Sequence, residues 1–187
     1  MKINYVTTNK MKFEIAQAYF ETLSRDYEIV QYEIDTPEIQ DVSAVEIARH
    51  SALWAAKETG EICIKMDAGF FIASLRGFPG PFVKYVNDWL TQEDYLKLLS
   101  DKPDRSAYFE DATAIGFPDG RSEVFSLKTH GSLALESDKN NTRWPANLLF
   151  IPDGYSHTLG SMSSEDQNIF WGEGNWPKVI EYLKSNT

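Results

Sequence analysis

The sequence predicts an α/β fold, and three observations carry that reading. Ile3 to Thr7 is a short apolar run that passes through Thr8-Asn9-Lys10 into Phe13, Ala16, Phe20 and Leu23 at helical spacing, the pattern of a strand, a turn and a helix. Tyr27 to Ile34 is rich in β-branched and aromatic residues, as strands are. After it, Ser43-Ala44-Val45-Glu46 has capping-box form, and Val45, Ala48, Ala52 and Ala55 continue a helical stripe to about Thr59. Finally, Ile62, Ile64 and Met66 alternate with Cys63, Lys65 and Asp67, which predicts a strand with a carboxylate at its carboxyl end. Sheets of this class place their chemistry there.

Directly after that strand, Gly77, Pro79, Gly80 and Pro81 predict a tight, stiff loop able to line a ligand cleft. A short helix is expected over Phe82 to Leu90, with Phe82, Tyr85 and Trp89 at helical spacing and turned to the core. Thr91-Gln92-Glu93-Asp94 opens another, carrying Tyr95, Leu98 and Leu99. Arg105 to Phe117 and Arg121 to Thr129 flank Pro118-Asp119-Gly120, which predicts a hairpin. Glu136 to Asn147 is polar and reads as a mobile loop, Leu148 to Ile151 as a last strand, and Pro177 as the start of a terminal helix with Val179, Ile180 and Leu183 facing inward. No repeat or linker interrupts the chain, so residues 1–187 are expected to form a single domain.

Composition narrows the function classes. With 187 residues and 42% hydrophobic content the chain can bury a sizeable core. A formal net charge of −10 makes nucleic-acid polymers poor partners. A free nucleotide remains possible chemically, because a bound cation and local lysines neutralise a triphosphate even on an acidic protein. No basic leader and no long apolar run is seen, so a soluble, cytoplasmic protein without a membrane partner is expected. The single cysteine, Cys63, reads as a small buried hydrophobe, and His50, His130 and His157 have no zinc-like spacing.

The turn at Thr8-Asn9-Lys10 feeds a helix amino terminus, whose unpaired N–H groups suit a phosphate, and Lys12 adds a point charge beside them. The alternative is that Asn9 merely caps the helix and Lys12 is solvated.

Val6-Thr7-Thr8-Asn9 with Lys12, Glu38 in Asp35-Thr36-Pro37-Glu38, Asp67-Ala68-Gly69 and Gly77-Phe78-Pro79-Gly80-Pro81-Phe82 together resemble the inosine triphosphate pyrophosphatase family, also called HAM1-like. The resemblance runs to about Met162 and is better in its first half. It implies an elongated, mixed, twisted sheet flanked by helices, with two lobes and a nucleotide cleft between them. It also implies magnesium-dependent hydrolysis of non-standard purine nucleoside triphosphates (ITP, dITP, XTP) to the monophosphate and pyrophosphate, and a homodimer. By the same resemblance, Glu38 and Asp67 are the metal-associated acids, and Lys12, Glu38 and Asp67 the catalytic set. Thr7, Thr8, Asn9 and Lys12 would contact phosphates, while Gly69, Phe78, Pro79, Gly80 and Asn147 would line the substrate site.

The chain also departs from that pattern. Met66 stands where an acid is usual, Ser51 and Gln167 where lysines are, and Asn147 where an aspartate is. The Ser-His-Arg element that holds the purine in the family is replaced by Ile169-Phe170-Trp171-Gly172-Glu173. Trp144, Trp171 and Trp176 are then candidates to stack on a base, and Lys139 and Arg143 to reach it, each with a structural or solvated role as the alternative. Two function classes follow: an enzyme of this family, attenuated by its departures, or a nucleotide-binding sensor that has lost efficient hydrolysis and regulates a partner effector protein.

Overall fold

The computed structural model of the chain describes residues 1–24, 26–137, 144–172 and 174–187. Strand β1 (Lys2–Val6) turns at Thr7–Asn9 into helix α1 (Lys10–Leu23), and β2 (Glu28–Tyr32) returns beside β1 in parallel. Helix α2 (Ala44–Thr59) begins at Ser43, whose hydroxyl accepts from Glu46 N, and ends at Gly60 in the left-handed conformation, φ 69°. Strand β3 (Cys63–Ile72) pairs with β1 in parallel, and β4 (Pro79–Gly80) folds back on it antiparallel. Helices α3 (Val83–Trp89) and α4 (Gln92–Leu98) lead to β5 (Ser106–Gly116) and β6 (Ser122–Leu133). The chain closes with α5 (Pro145–Leu149), β7 (Phe150–Pro152), α6 (Ser164–Trp171) and α7 (Trp176–Asn186). Among the described residues the strands form one mixed seven-stranded sheet in the order β2-β1-β3-β5-β6-β7, with β4 on β3.

The chain divides into two compact units, and β3, β5 and β6 each give residues to both. The first holds Met1–Asp67, Asp111–Leu127 and Glu173–Thr187. Its core joins Ile3, Tyr5, Phe20, Ile64 and Ile115 to Trp176, Val179, Ile180 and Leu183 of α7. Against the sheet lies the alanine stripe of α2, where Ala44, Ala48 and Ala52 pack on Ala112 and Ala114. The helix comes so close to β5 that a Cβ on Gly116 would lie 2.3 Å from the Ala52 carbonyl oxygen. The second unit holds Ala68–Glu110 and Lys128–Gly172, with a core of Phe70, Ile72, Tyr95, Leu99, Phe150 and Leu159 among others.

Several expectations are corrected here. Strand β3 does not end at Asp67 but continues to Ile72, because Phe70 and Phe71 pair with Gly80 and Pro79. Phe82, Tyr85 and Trp89 are exposed, since the buried side of α3 is the adjacent one bearing Val83, Val86 and Asn87. Of the residues carried by α4 and its end, Leu98 is exposed and Tyr95 and Leu99 are buried. Leu148 and Leu149 belong to helix α5 rather than to a strand, and Pro145, Ala146 and Asn147 belong to it rather than to a loop. Pro at its start favours helix, and the Ala146 N–H is taken by Asn87 Oδ1 at 3.2 Å. The expected mobile loop otherwise falls largely on 138–143, outside the described residues. Helix α6 has no counterpart in the sequence reading.

Candidate functional site

Parallel β1 and β2 end level with each other, Val6 opposite Tyr32, and Tyr5 lies opposite Ile64 of β3. The residues that follow these ends therefore gather at one carboxyl edge, the usual ligand side of such a sheet. A cavity of about 590 Å³ lies there, entirely within the first unit. Its wall includes Tyr5, Thr7, Thr8 and Lys12 from β1 and α1, Glu33, Asp35, Thr36 and Glu38 from the segment after β2, and Lys65 and Met66 from β3.

Each side chain has a local reason for its position. Asn9 caps α1, its Oδ1 accepting from Lys12 N at 3.1 Å, and its own N–H donates to Thr7 Oγ1 at 3.1 Å. Thr7 is pinned by its N–H to Tyr32 O at 3.3 Å and by Gln31 Nε2, which donates to Thr7 O at 3.0 Å. That turn places the exposed Lys12 side chain on the cavity wall. Tyr5 is buried, and its hydroxyl donates to Met66 Sδ at 2.9 Å. Burial, with Asp111 second, pushes its phenol far above the usual range.

Lys65 was missed by the sequence reading. It is half-buried, and its Nζ donates to Oγ1 of the buried Thr36 at 2.8 Å. Burial lowers its pKa, and the Lys12 charge works in the same direction; Glu38, Asp67 and Asp35 oppose the shift. That set of neighbours brings Glu38, Asp67 and Lys12 into one electrostatic field around a single ammonium. Strand alternation puts Lys65 and the half-buried Asp67 on the same face of β3. The signal in the sequence was a lysine two residues before the carboxylate in an otherwise apolar strand.

The other expected residues lie in the second unit. Gly69 is required by packing: a Cβ there would meet the Phe71 ring at 2.5 Å. Gly77 and Gly80 have φ of 88° and 61°, which favours glycine, and the Phe78–Pro79 peptide is cis. Pro79 and Gly80 are buried and Phe78 is exposed. Asn147 is half-buried in α5.

Two of the departures are placed by the fold as follows. Ser51 is fully buried in α2. Gln167 Nε2 donates to Leu159 O at 2.9 Å and Met162 O at 3.2 Å, tying α6 to the turn before it. Of the base-stacking candidates, Trp176 is excluded, because it is 4% exposed and packs edge-on against Tyr5 and Phe20. Trp171 is half-buried edge-on to Phe109, and Trp144 is exposed. Lys139 and Arg143 lie outside the described residues. His130 and His157 are exposed, His50 is half-buried, and burial pushes the Cys63 thiol up, as suits an inert core residue.

At the carboxyl edge of the parallel strands of this mixed α/β sheet lies a cavity whose wall carries both lysines and carboxylates. The model of the Ham1 family matches residues 3–170, and the chain belongs to that family. Similar curated proteins are the dITP/XTP pyrophosphatases of Thermococcus kodakarensis (32% identical; 100% of this chain, 99% of the relative) and Pyrococcus horikoshii (33%; 100% and 98%). Another is that of Methanosarcina acetivorans, 35% identical over 89% of this chain and 88% of its own. Among solved structures, the Staphylococcus aureus Ham1 protein superposes with a TM-score of 0.82 at 20% identity, covering 100% of both chains. A nucleoside-triphosphatase from Mycobacterium abscessus gives 0.79 at 23% identity over 96% of this chain and 97% of its own.

Proposed function

We propose that the chain hydrolyses non-standard purine nucleoside triphosphates, dITP, ITP and XTP, to the monophosphate and pyrophosphate. The observation that carries this is that Lys12, Lys65 and Glu38 line one cavity, with Asp67 on the same face of β3 as Lys65 and within its electrostatic field. The relatives' names supply the substrate class and the type of bond broken.

The charge balance of the cavity argues for a divalent cation. Its wall sets Lys12 and Lys65 against Glu33, Asp35 and Glu38, with Asp67 close by, so a bare triphosphate would meet net repulsion. The donor set fits magnesium: carboxylate oxygens are the hard ligands that ion takes, and it commonly uses only one or two of them. Among the described residues no group of three or more His, Cys, Asp or Glu could hold a metal, so substrate oxygens and water would complete its shell. Glu38 and Asp67 would hold it, and when bound it masks charge on the polyphosphate. Lys12 takes phosphate oxygens at the amino end of α1. Asp67 orients a water toward the α-phosphorus and accepts its proton as the water oxygen bonds, while the P–O bond to the leaving group breaks and the electron pair departs with pyrophosphate. Asn9 holds the turn, and Gly69, Phe78, Pro79, Gly80 and Asn147 are the substrate-wall residues of this reading.

Pyrophosphate release from dITP, ITP, XTP, ATP and GTP tests it. Turnover of the first three is expected to exceed that of ATP and GTP, to stop with EDTA, and to fall about 10²- to 10⁴-fold in Asp67→Asn. No turnover above the Asp67→Asn level overturns the reading. Met66 favours a second one: a thioether, engaged by Tyr5, stands on the cavity wall where an acid is usual. A sensor that binds dITP without cleaving it would show a raised melting temperature with no pyrophosphate and would co-purify with an effector.

A further inference from the structure

Lys65 combines features that a merely structural lysine does not need. It is half withdrawn from water on the rigid strand β3, and it opens onto the same cavity as Lys12. Its partner is a neutral hydroxyl, Thr36 Oγ1 at 2.8 Å, on a residue that is itself buried. Such a contact fixes the ammonium without neutralising it. An ammonium has three donors, so others remain for a ligand. Among the described residues Lys65, like Lys12, makes no ion pair, but unlike the exposed Lys12 it is half-buried. A partly desolvated cation held this way is favourable only with an anion close by. The carboxylates in its field, Glu38, Asp67 and Asp35, offer attraction at longer range than an ion pair.

Resting on the reading of this cavity as a triphosphate site, we propose that Lys65 is a substrate-binding residue whose ammonium contacts the polyphosphate jointly with Lys12. Lys12 sits on a helix start and Lys65 on a strand, so the two cations approach the anion from different elements. Charge-assisted contacts of this kind are the strong ones.

Lys65→Gln removes the charge while keeping a donor for Thr36, and Lys65→Arg keeps the charge. Both are compared with the unmodified chain in dITP kinetics with magnesium. They are also compared in thermal-shift titrations with magnesium and inorganic tripolyphosphate, which reports on the anion site without the base or the chemistry. Lys65→Gln is expected to lower kcat/KM, and to raise the half-effective tripolyphosphate concentration, each by about 10- to 100-fold. Lys65→Arg should stay within about fivefold of the unmodified chain on both. A Lys65→Gln protein within twofold of the unmodified chain on both readouts overturns the proposal, as does Lys65→Arg failing as badly as Lys65→Gln. If Lys65→Gln does not fold, Lys65→Met is held to the same thresholds. Should the unmodified chain release no pyrophosphate, the hydrolase reading fails, and the tripolyphosphate titration alone decides Lys65.

Discussion

Cys63, Lys65 and Asp67 share one face of β3, yet their surroundings change within a few ångströms of strand. Cys63 is fully buried beside Val6, Ala55 and Ala56, with Thr59 Oγ1 3.3 Å from its sulfur, whereas Lys65 opens onto the cavity. Thiol-specific reagents at pH 8 should therefore leave Cys63 unmodified in the folded protein and modify it in guanidinium; labelling at the same rate in both would contradict its burial. Residue identity alone revealed less than this. The resemblance pointed to the Thr7 to Lys12 element, Glu38 and Asp67 as candidates, and gave no role to Lys65 or Thr36. A lysine in an alternating strand looks solvent-facing until the neighbouring strand ends are known to leave a hollow there.

At the scale of elements, helical spacing made α1, α2 and α7 readable, because each buries one face, while an apolar run marked β1, which is buried on both faces, and β-branched and aromatic content marked β2. Spacing failed where burial is set by something else. In α3 the exposed aromatics have helical spacing as good as that of the buried Val83 and Val86, and only the fold decides which side is covered. Among the described residues of helix α6, Ile169 is exposed while Phe170 and Trp171 pack against the core, and the helix is held at its start, where Ser163 Oγ accepts from Asp166 N at 3.0 Å. That Ser-x-x-Asp box was the available signal. Helix α2 lies close against β5. Gly116→Ala puts a methyl against the Ala52 and Leu53 backbone, which cannot swing aside as a side chain does. A loss of about 1–3 kcal/mol is expected. In thermal unfolding this appears as a drop of about 2–4 °C per kcal/mol, and an unchanged melting temperature would show that α2 lifts freely.

For the whole molecule, no helix of the described residues is long and apolar enough to cross a membrane, and the chain as a whole is acidic, with a net charge of −10. Its response to alkali follows from what is buried. Desolvation raises the pKa of Cys63, and raises those of Tyr5 and Tyr95 far more. A group whose pKa is raised on folding contributes stability below its unfolded pKa and loses it as pH climbs toward the folded value. Denaturant midpoints should thus begin to fall above about pH 8.5 for the thiol and more steeply above about pH 10 for the phenols. A flat profile to pH 11 would contradict that burial. The contact between Tyr5 and Trp176, ring centres 5.2 Å apart, has an optical consequence. Tyr5 forms part of the cavity wall, so a natural fluorophore stands one side chain behind it. With the remaining tryptophans, Trp54, Trp89, Trp144 and Trp171, changed to phenylalanine, the emission of this indole becomes a dye-free gauge of whether the hollow in front of it is filled.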